Sequence, residues 1–358
     1  MHPCFWPEVR RGTERVIREL ADGLVARGHE PVLLTTHPGP TARNVEDGLR
    51  IVRAKRPDDI FLWTRGWDGF LMHAGRSLPE LLRTRPAVTH ALYPSDAVAA
   101  SVAPWPLVFS YMGLPDDDYL DARKGRRWAI EQACARADVV VALSEACARA
   151  FDSVLGVQAR VISPGVDLQA FAPDASQRAE QPTVVCSAAR AEPRKRVDLL
   201  VEAVRRLDGV RLILDRRGPE LDEPFVELRD FDDRAALAAV YREAWVSALP
   251  SVNEAFGLVL AEALACGTPV VAAESGGMPE VLGGRDDVGR TFVGGDPEAL
   301  VAALRGALAL HDDPATPARC REQAERFSTD LTTEAYVALY EELAQRRRSR
   351  RNGVSTSR

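Results

Sequence analysis

Short apolar runs alternate along this chain with longer segments whose apolar residues recur at helical spacing. Runs typical of buried strands lie at 32–35, 49–53, 107–111, 137–144, 183–187, 210–214, 245–249 and 270–271. Helical spacing is found at 13–27, 71–82, 128–136, 197–207, 235–245, 256–266, 297–310, 317–327 and 332–344. Strands that alternate with helices favour parallel sheets with crossover helices. The pattern therefore predicts an α/β fold.

The chain of 358 residues is long enough for two such domains, each with its own core. The polar, proline-containing segment 171–182 indicates a linker between them. We therefore expect an N-terminal domain at 1–172, a C-terminal domain at 173–330 and a terminal helix at 331–345. The tail 346–358 is basic and has no apolar residue besides Val354, so we expect disorder there.

The bulk composition excludes several function classes. A net charge of −6 gives no basic field for nucleic acid, so no nucleic-acid partner is expected. The 6 cysteines are scattered without a C-x-x-C pair, which fits a reducing compartment and predicts no metal site. No segment is apolar enough to span a bilayer. We expect a cytoplasmic protein whose basic tail makes at most a weak contact with the inner membrane surface.

The stretch from 249 to 280 carries the most specific pattern. It reads LPSVNEAFGLVLAEALACGTPVVAAESGGMPE, a strand, a loop, a helix that Gly267 ends, and a second strand. In parallel sheets, ligands bind beyond the carboxyl ends of the strands and against helix N-termini. The residues expected at that place are Glu254, Ala255, Phe256 and Gly257.

These residues suit a phosphorylated, hydroxyl-bearing ligand. Backbone N–H groups in the first turn of a helix favour a phosphate, and Gly257 lets the backbone approach closely. Glu254 precedes that turn and Glu262 lies about two turns further on, so the two carboxylates can bind hydroxyls on opposite sides of the phosphates. The alternative is two surface acids that flank an ordinary helix.

The stretch resembles the E-x7-E signature of retaining glycosyltransferases with the GT-B fold, and of glycosyltransferase family 4 in particular. The resemblance implies two facing Rossmann-like domains with a cleft between them. It implies that Glu254 binds donor-sugar hydroxyls and Glu262 the ribose. It also implies that backbone groups from Ala255 to Leu258 hold the diphosphate.

The segment 183–196 resembles a second motif of the family, G-R-x4-K-G, whose cations bind the donor diphosphate. Arg190 and Lys195 match those cations, while Ala189 and Arg196 replace the glycines. Two cations at a strand–helix junction would offset the charge that builds on the departing diphosphate. The alternative is a solvated basic turn.

The start of the chain resembles the GG-x-E-R loop and following helix of the family. Gly12, Glu14 and Arg15 match, and Arg11 replaces the first glycine. The resemblance implies that Gly12 faces the donor phosphates and Glu14 the acceptor side. A plain helix N-terminus is the alternative. The first strand of the family would precede His2, so we expect a misassigned start codon or a truncated chain.

The strand at 107–111 is followed by Met112, where the family often has a histidine at the reacting centre. Methionine forms no strong hydrogen bond. The acceptor-side candidates are Glu14, His90 and Met112, and the residues themselves tie none of them to a role.

The resemblance implies a retaining transfer of a sugar from a nucleotide-diphosphate sugar to a hydroxyl of a glycan, a lipid or a small natural product. Glu254, Arg190 and Lys195 form the implied catalytic set. No metal and no cofactor besides the donor co-substrate is implied. Two alternatives stay open. One is a GT-B epimerase or hydrolase of nucleotide sugars, and the other is a catalytically impaired nucleotide-sugar-binding protein, which Met112 and Arg11 favour.

Overall fold

The computed structural model describes residues 1–8, 12–56, 60–67, 71–188, 192–219, 221–231 and 233–355. The chain forms two compact units, the first of Met1–Ser163 with Thr332–Arg358 and the second of Pro164–Leu331. The division falls before the expected linker, because Val166 and Phe171 belong to the second unit. The Val166 amide donates to the Phe327 carbonyl at 2.7 Å, and Phe171 packs against Tyr241.

The first unit is built of parallel strands and crossover helices. Strands β4, β5, β6 and β7 form one parallel sheet in that order, and β1, β3 and β2 form a second sheet, in which β2 is antiparallel. Its elements are α1 Gly12–Ala26, β1 Val32–His37, β2 Ala42–Glu46, β3 Leu49–Lys55, α2 Ile60–Thr64, α3 Leu71–Thr84, β4 Thr89–Ala91, α4 Pro94–Ala100, β5 Leu107–Ser110, α5 Asp117–Asp121, α6 Arg126–Arg136, β6 Val139–Ala142, α7 Glu145–Leu155 and β7 Arg160–Val161.

The backbone of residues 1–3 joins these two sheets. The Met1 amine donates to the His90 carbonyl of β4 at 2.6 Å, and the Leu92 amide donates to the Met1 carbonyl at 3.0 Å. On the other side the His2 amide donates to Leu34 of β1 at 3.1 Å. The N-terminal residues therefore lie where the first strand of a Rossmann-like sheet runs.

The second unit has a single parallel sheet among its described residues, in the order β10-β9-β8-β11-β12-β13. The central strands of this sheet are buried and largely apolar, because helices cover both faces of such a sheet. Its elements are β8 Thr183–Cys186, α8 Val197–Arg205, β9 Arg211–Asp215, β10 Val226–Arg229, α9 Arg234–Glu243, β11 Val246–Leu249, α10 Leu258–Ala265, β12 Val270–Ala273, α11 Met278–Leu282, β13 Gly289–Phe292, α12 Pro297–Leu308 and α13 Thr316–Glu325.

The last helix, α14, runs from Thr329 to Ser355, and most of it packs within the first unit. Tyr336, Leu339 and Leu343 enter a core cluster with Val108 of β5 and Val141 of β6. The helix continues past 345, where the composition predicts a disordered tail. Arginine is a good helix former, and Arg346 pairs with Glu342 one turn earlier at 2.7 Å, so a basic composition is compatible with helix here.

The α/β prediction is confirmed, and the differences are local. Five of the described strands are absent from the prediction, and all five lie at sheet edges. β2, β10 and β13 carry charged residues in place of an apolar run, and β4 and β7 have only 3 and 2 residues. None of the helices in the described part of the chain has the length and hydropathy that crossing a bilayer requires.

Candidate active site

The strand order of the second unit defines one place where a ligand fits. From β8 the chain adds β9 and β10 on one side of the sheet and then β11, β12 and β13 on the other, as in a doubly wound fold. The strand order therefore reverses between β8 and β11. These two strands are parallel neighbours, so their carboxyl ends meet at one edge of the sheet. The crevice at such a reversal is the usual ligand site of open α/β sheets. The loops that follow β8 and β11 therefore form the candidate site.

The loop after β8 carries Arg194 and Lys195 in a short 3-10 turn, Pro193–Lys195. The Lys195 ammonium lies 2.5 Å from Oε1 of Glu254, and a guanidinium nitrogen of Arg194 lies 3.1 Å from the same oxygen. Lys195 is only 8 % exposed, so this pair is largely screened from solvent. Arg190, the other expected cation, lies outside the described residues.

Hydrogen bonds fix the loop after β11 to the loop after β8 and to the turn after β12. The Val252 amide donates to the Arg194 carbonyl at 2.9 Å, which joins the two loops across the reversal. The Asn253 amide donates to Oγ of Ser275 at 3.0 Å, and the Gly277 amide donates to the Glu254 carbonyl at 2.9 Å. The Ser275-Gly276-Gly277 turn therefore positions Glu254.

Gly276 is required in that turn for two reasons. Its φ is +59°, and a Cβ on it would lie 2.0 Å from the carbonyl oxygen of Glu254. A side chain here would push away the residue whose carboxylate contacts Lys195. This geometry favours a positioning role for the Ser275-Gly276-Gly277 turn over simple turn chemistry.

Helix α10 begins at Leu258, later than the predicted Phe256, because Gly257 precedes it in the left-handed region with a φ of 101°. Ala255 and Phe256 are buried, and the Phe256 ring packs edge-on against Phe327 at 5.2 Å. What this segment presents at the site is therefore its backbone and the N-terminus of α10, where N–H groups lack intrahelical partners.

Glu262 points into the unit from α10 and is 2 % exposed. The Tyr241 hydroxyl of α9 donates to Oε2 of Glu262 at 3.1 Å and also lies 2.7 Å from the Ser187 hydroxyl, just after β8. A ribose that used this carboxylate would share it with Tyr241. Sequence reasoning missed Tyr241 and Ser187, since Tyr241 occupies an apolar-face position of α9 and only the fold places its hydroxyl beside Glu262.

The arrangement offers cations, a helix N-terminus and two carboxylates at one sheet edge. Cations and backbone N–H groups bind a phosphate, and carboxylates accept hydrogen bonds from hydroxyls. Cys186, at the end of β8, is not a nucleophile candidate. Burial raises the pKa of its thiol to about 12, although Lys195 lies near enough to lower it.

The expected acceptor-side residues lie in the first unit and are engaged there. The Cys4 thiol donates to the buried Glu14 carboxylate at 3.3 Å. Met112 packs against a hydrophobic core cluster, and Gly12 begins α1. Arg11, next to Gly12, lies outside the described residues.

His90 has both ring nitrogens occupied. Nδ1 lies 2.7 Å from the Tyr340 hydroxyl of α14, and Nε2 lies 2.8 Å from the Ser110 hydroxyl of β5. Burial lowers the pKa of His90 to about 3, so the ring is neutral. These contacts anchor α14 within its own unit. The acceptor role considered for His90 stays a prediction.

Comparison with solved structures defines the fold class. Sucrose-phosphate synthase from Thermosynechococcus elongatus superposes with a TM-score of 0.79 at 22 % identity, covering 96 % of this chain and 94 % of that one. HepE from Anabaena, in complex with UDP-glucose, gives a TM-score of 0.72 at 19 % identity over 96 % of this chain and 100 % of its own. The fold is that of the GT-B glycosyltransferases.

Family models specify the class further. Residues 10–170 match the model of Glycosyltransferase Family 4, and residues 181–309 match that of Glycosyl transferases group 1. The chain belongs to this family, glycosyltransferase family 4, as the motifs predict.

Curated relatives agree with this assignment. D-inositol 3-phosphate glycosyltransferase from Mycobacterium marinum is 36 % identical over 207 residues, 50 % of this chain and 44 % of the relative. The protein of that name from Geodermatophilus obscurus is 35 % identical over 254 residues, 60 % of this chain and 55 % of the relative. The chain thus spans about half the length of the curated relatives that it matches.

Proposed function

We propose that this chain is a retaining glycosyltransferase that moves a sugar from a nucleotide-diphosphate sugar to an acceptor hydroxyl. The observation that carries the proposal is the contact of Lys195 and Arg194 with Glu254 at the strand-order reversal of the second unit. A cationic site and a carboxylate held together at that edge are the groups that a sugar diphosphate needs.

The donor diphosphate would lie against Lys195 and the N-terminus of α10. Lys195 is held by its 3-10 turn, and Gly257 leaves room for close approach to the backbone. Arg190 would contribute a second cation, as the resemblance implies. These groups would stabilise the charge that develops on the diphosphate as it departs, which is the usual source of catalysis in such transfers.

Glu254 would bind hydroxyls of the donor sugar, and Glu262, oriented by Tyr241, would bind the ribose. In the reaction the bond between the anomeric carbon and the diphosphate oxygen breaks, and a bond to the acceptor oxygen forms on the same face. The acceptor proton passes to the leaving diphosphate. This scheme uses no metal and no additional cofactor.

The relatives suggest which substrates to test first. HepE was solved with UDP-glucose, and the curated relatives are named for D-inositol 3-phosphate. We therefore propose UDP sugars as the first donors and inositol phosphates as the first acceptors, followed by glycans, lipids and small natural products.

The test separates binding from transfer. Calorimetric titrations of UDP, GDP, ADP and TDP, and of their sugars, are run on the wild type, Lys195→Ala and Glu254→Gln. The exposed Lys55→Ala is the matched control. We expect Lys195→Ala to lose nucleotide binding, and Glu254→Gln to keep nucleotide binding but lose the gain that the sugar provides. Lys55→Ala should behave as the wild type.

Transfer is then followed by NMR, which reads the anomeric configuration of the product. Retention in the presence of an acceptor supports the proposal. Inversion contradicts the proposed mechanism. Release of free sugar without acceptor identifies a hydrolase, and donor binding without turnover on any acceptor identifies a binding protein.

A further inference from the structure

Three side chains able to bind a metal converge in the first unit. His2, Cys4 and Glu14 are 5 %, 6 % and 2 % exposed, and their ligand atoms all lie within 4.8 Å of one another. Among the residues that the structure describes, this is the one such group of three or more. The cluster combines nitrogen, sulfur and oxygen donors, a set that Zn²⁺ accepts.

The backbone explains why these residues meet. His2 and Cys4 are two residues apart in an irregular segment that bends at Pro3, and the His2 ring hydrogen-bonds to the Cys4 carbonyl. Glu14 lies in the first turn of α1. Because residues 1–3 hydrogen-bond to β1 and β4, the start of the chain is held in place beside this turn.

The distances are close to those of a tetrahedral zinc site. Zinc bonds of about 2.3 Å to sulfur and about 2.0–2.2 Å to nitrogen and oxygen place neighbouring ligand atoms about 3.4–3.6 Å apart. In the structure Sγ of Cys4 lies 3.3 Å from Oε1 of Glu14, and Nδ1 of His2 lies 3.9 Å from the same oxygen. These two spacings are close to those of a tetrahedral zinc site, and the third pair of ligand atoms lies within 4.8 Å.

The hydrogen bond within the cluster decides which nitrogen of His2 a cation would use. Nδ1 of His2 lies 2.7 Å from the Cys4 carbonyl. A metal at Nδ1 would replace that hydrogen bond, and a metal at Nε2 would keep it. Metal binding would deprotonate the Cys4 thiol and release the proton to solvent.

We propose that His2, Cys4 and Glu14 bind one Zn²⁺, which fastens the first residues of the chain to the start of α1. The proposal does not rest on the proposed transferase function, because its test measures metal binding and not sugar transfer. Occupancy of the site would stabilise the folded chain, since the ligands are brought together only by folding.

The test uses Co²⁺ as a spectroscopic stand-in for Zn²⁺, on protein without a polyhistidine tag. We expect one Co²⁺ per chain, with a thiolate-to-cobalt charge-transfer band that Zn²⁺ abolishes. Cys4→Ser should lose the band. Cys134→Ser, at a buried cysteine that is 7 % exposed, is the matched control and should keep it. Glu14→Gln should weaken binding by more than about tenfold.

Circular dichroism shows whether each variant is folded, so loss of the band is read only from folded protein. A melting temperature that rises with Zn²⁺ in the wild type and in Cys134→Ser, but not in Cys4→Ser, would support the site independently. A wild type without a charge-transfer band, or a band that survives Cys4→Ser, would overturn the proposal.

Discussion

Tyr241→Phe provides a sharp test of how Glu262, the carboxylate that we propose binds the ribose, is oriented. The hydroxyl of Tyr241 donates to Glu262 at 3.1 Å and contacts Ser187 at 2.7 Å, and the ring is fully buried. Removing the hydroxyl keeps the ring and its packing. The Glu262 carboxylate then loses a neutral donor that holds it, while its own charge and position in α10 are unchanged.

A hydrogen bond to a charged group contributes about 1.5–3 kcal/mol net. At the low end of that range, loss of the bond corresponds to roughly tenfold in an equilibrium constant. We expect Tyr241→Phe to weaken binding of the ribonucleotide by about that factor and to weaken binding of the 2′-deoxynucleotide much less. The affinity ratio between the two should therefore fall towards one.

The measurement is calorimetric titration of both nucleotides into the wild type, Tyr241→Phe and Ser187→Ala. Ser187→Ala is the matched control, because it removes the other partner of the same hydroxyl and leaves the bond to Glu262. Ser187→Ala should lower the stability of the fold while preserving the ratio between the affinities for the ribonucleotide and the 2′-deoxynucleotide. An unchanged ratio in Tyr241→Phe, or an equal fall in Ser187→Ala, would refute the argument that Tyr241 orients Glu262 for the ribose.

Two further variants test the positioning turn and the buried histidine. Gly276→Ala should lower both donor binding and the melting temperature, because its Cβ would lie 2.0 Å from the Glu254 carbonyl. Gly284→Ala, also at positive φ but with open space, should show only the backbone cost of about 1–2 kcal/mol. An equal effect of the two on donor binding would contradict the positioning role. For His90, whose pKa falls from 6.5 to about 3, the folded chain binds the proton less than the unfolded chain does. Its stabilising contribution is present above pH 6.5 and decreases as the pH falls towards 3, by about 1.4 kcal/mol per unit. His90→Gln should therefore flatten the urea-unfolding profile between pH 7 and 5, whereas the exposed His29→Gln should not. Equal slopes for wild type and His90→Gln would refute the assignment.

The elements around the candidate site could be predicted from the sequence because they follow local rules. β11 and β12 are covered on both faces and therefore read as continuous apolar runs. Gly267 and the Thr268-Pro269 pair end α10 by backbone chemistry alone. The start of α10 was placed too early because Gly257 adopts a positive φ, which the apolar pattern does not reveal.

The contacts within the site could not be predicted, because topology and not local sequence brings the groups together. Lys195 and Glu254 are separated by 59 positions and meet only because β8 and β11 are neighbours. The same holds for Tyr241 and Glu262, which lie on consecutive helices. His90 illustrates the reverse case. Its residue type suits catalysis, yet its two hydrogen bonds give it a structural role that only the packing of α14 reveals.

The ion pair between Lys195 and Glu254 affects which donor the site would prefer. Lys195 is 8 % exposed, and a cation so far removed from water needs a partner, which Glu254 supplies. A diphosphate that took over Lys195 would leave the Glu254 carboxylate with the exposed Arg194 as its cation. Hydroxyls of a donor sugar would then replace Lys195 as hydrogen-bond donors to Glu254, whereas a nucleotide alone would not. The ion pair therefore gives the site a physical reason to prefer a nucleotide sugar over the bare nucleotide.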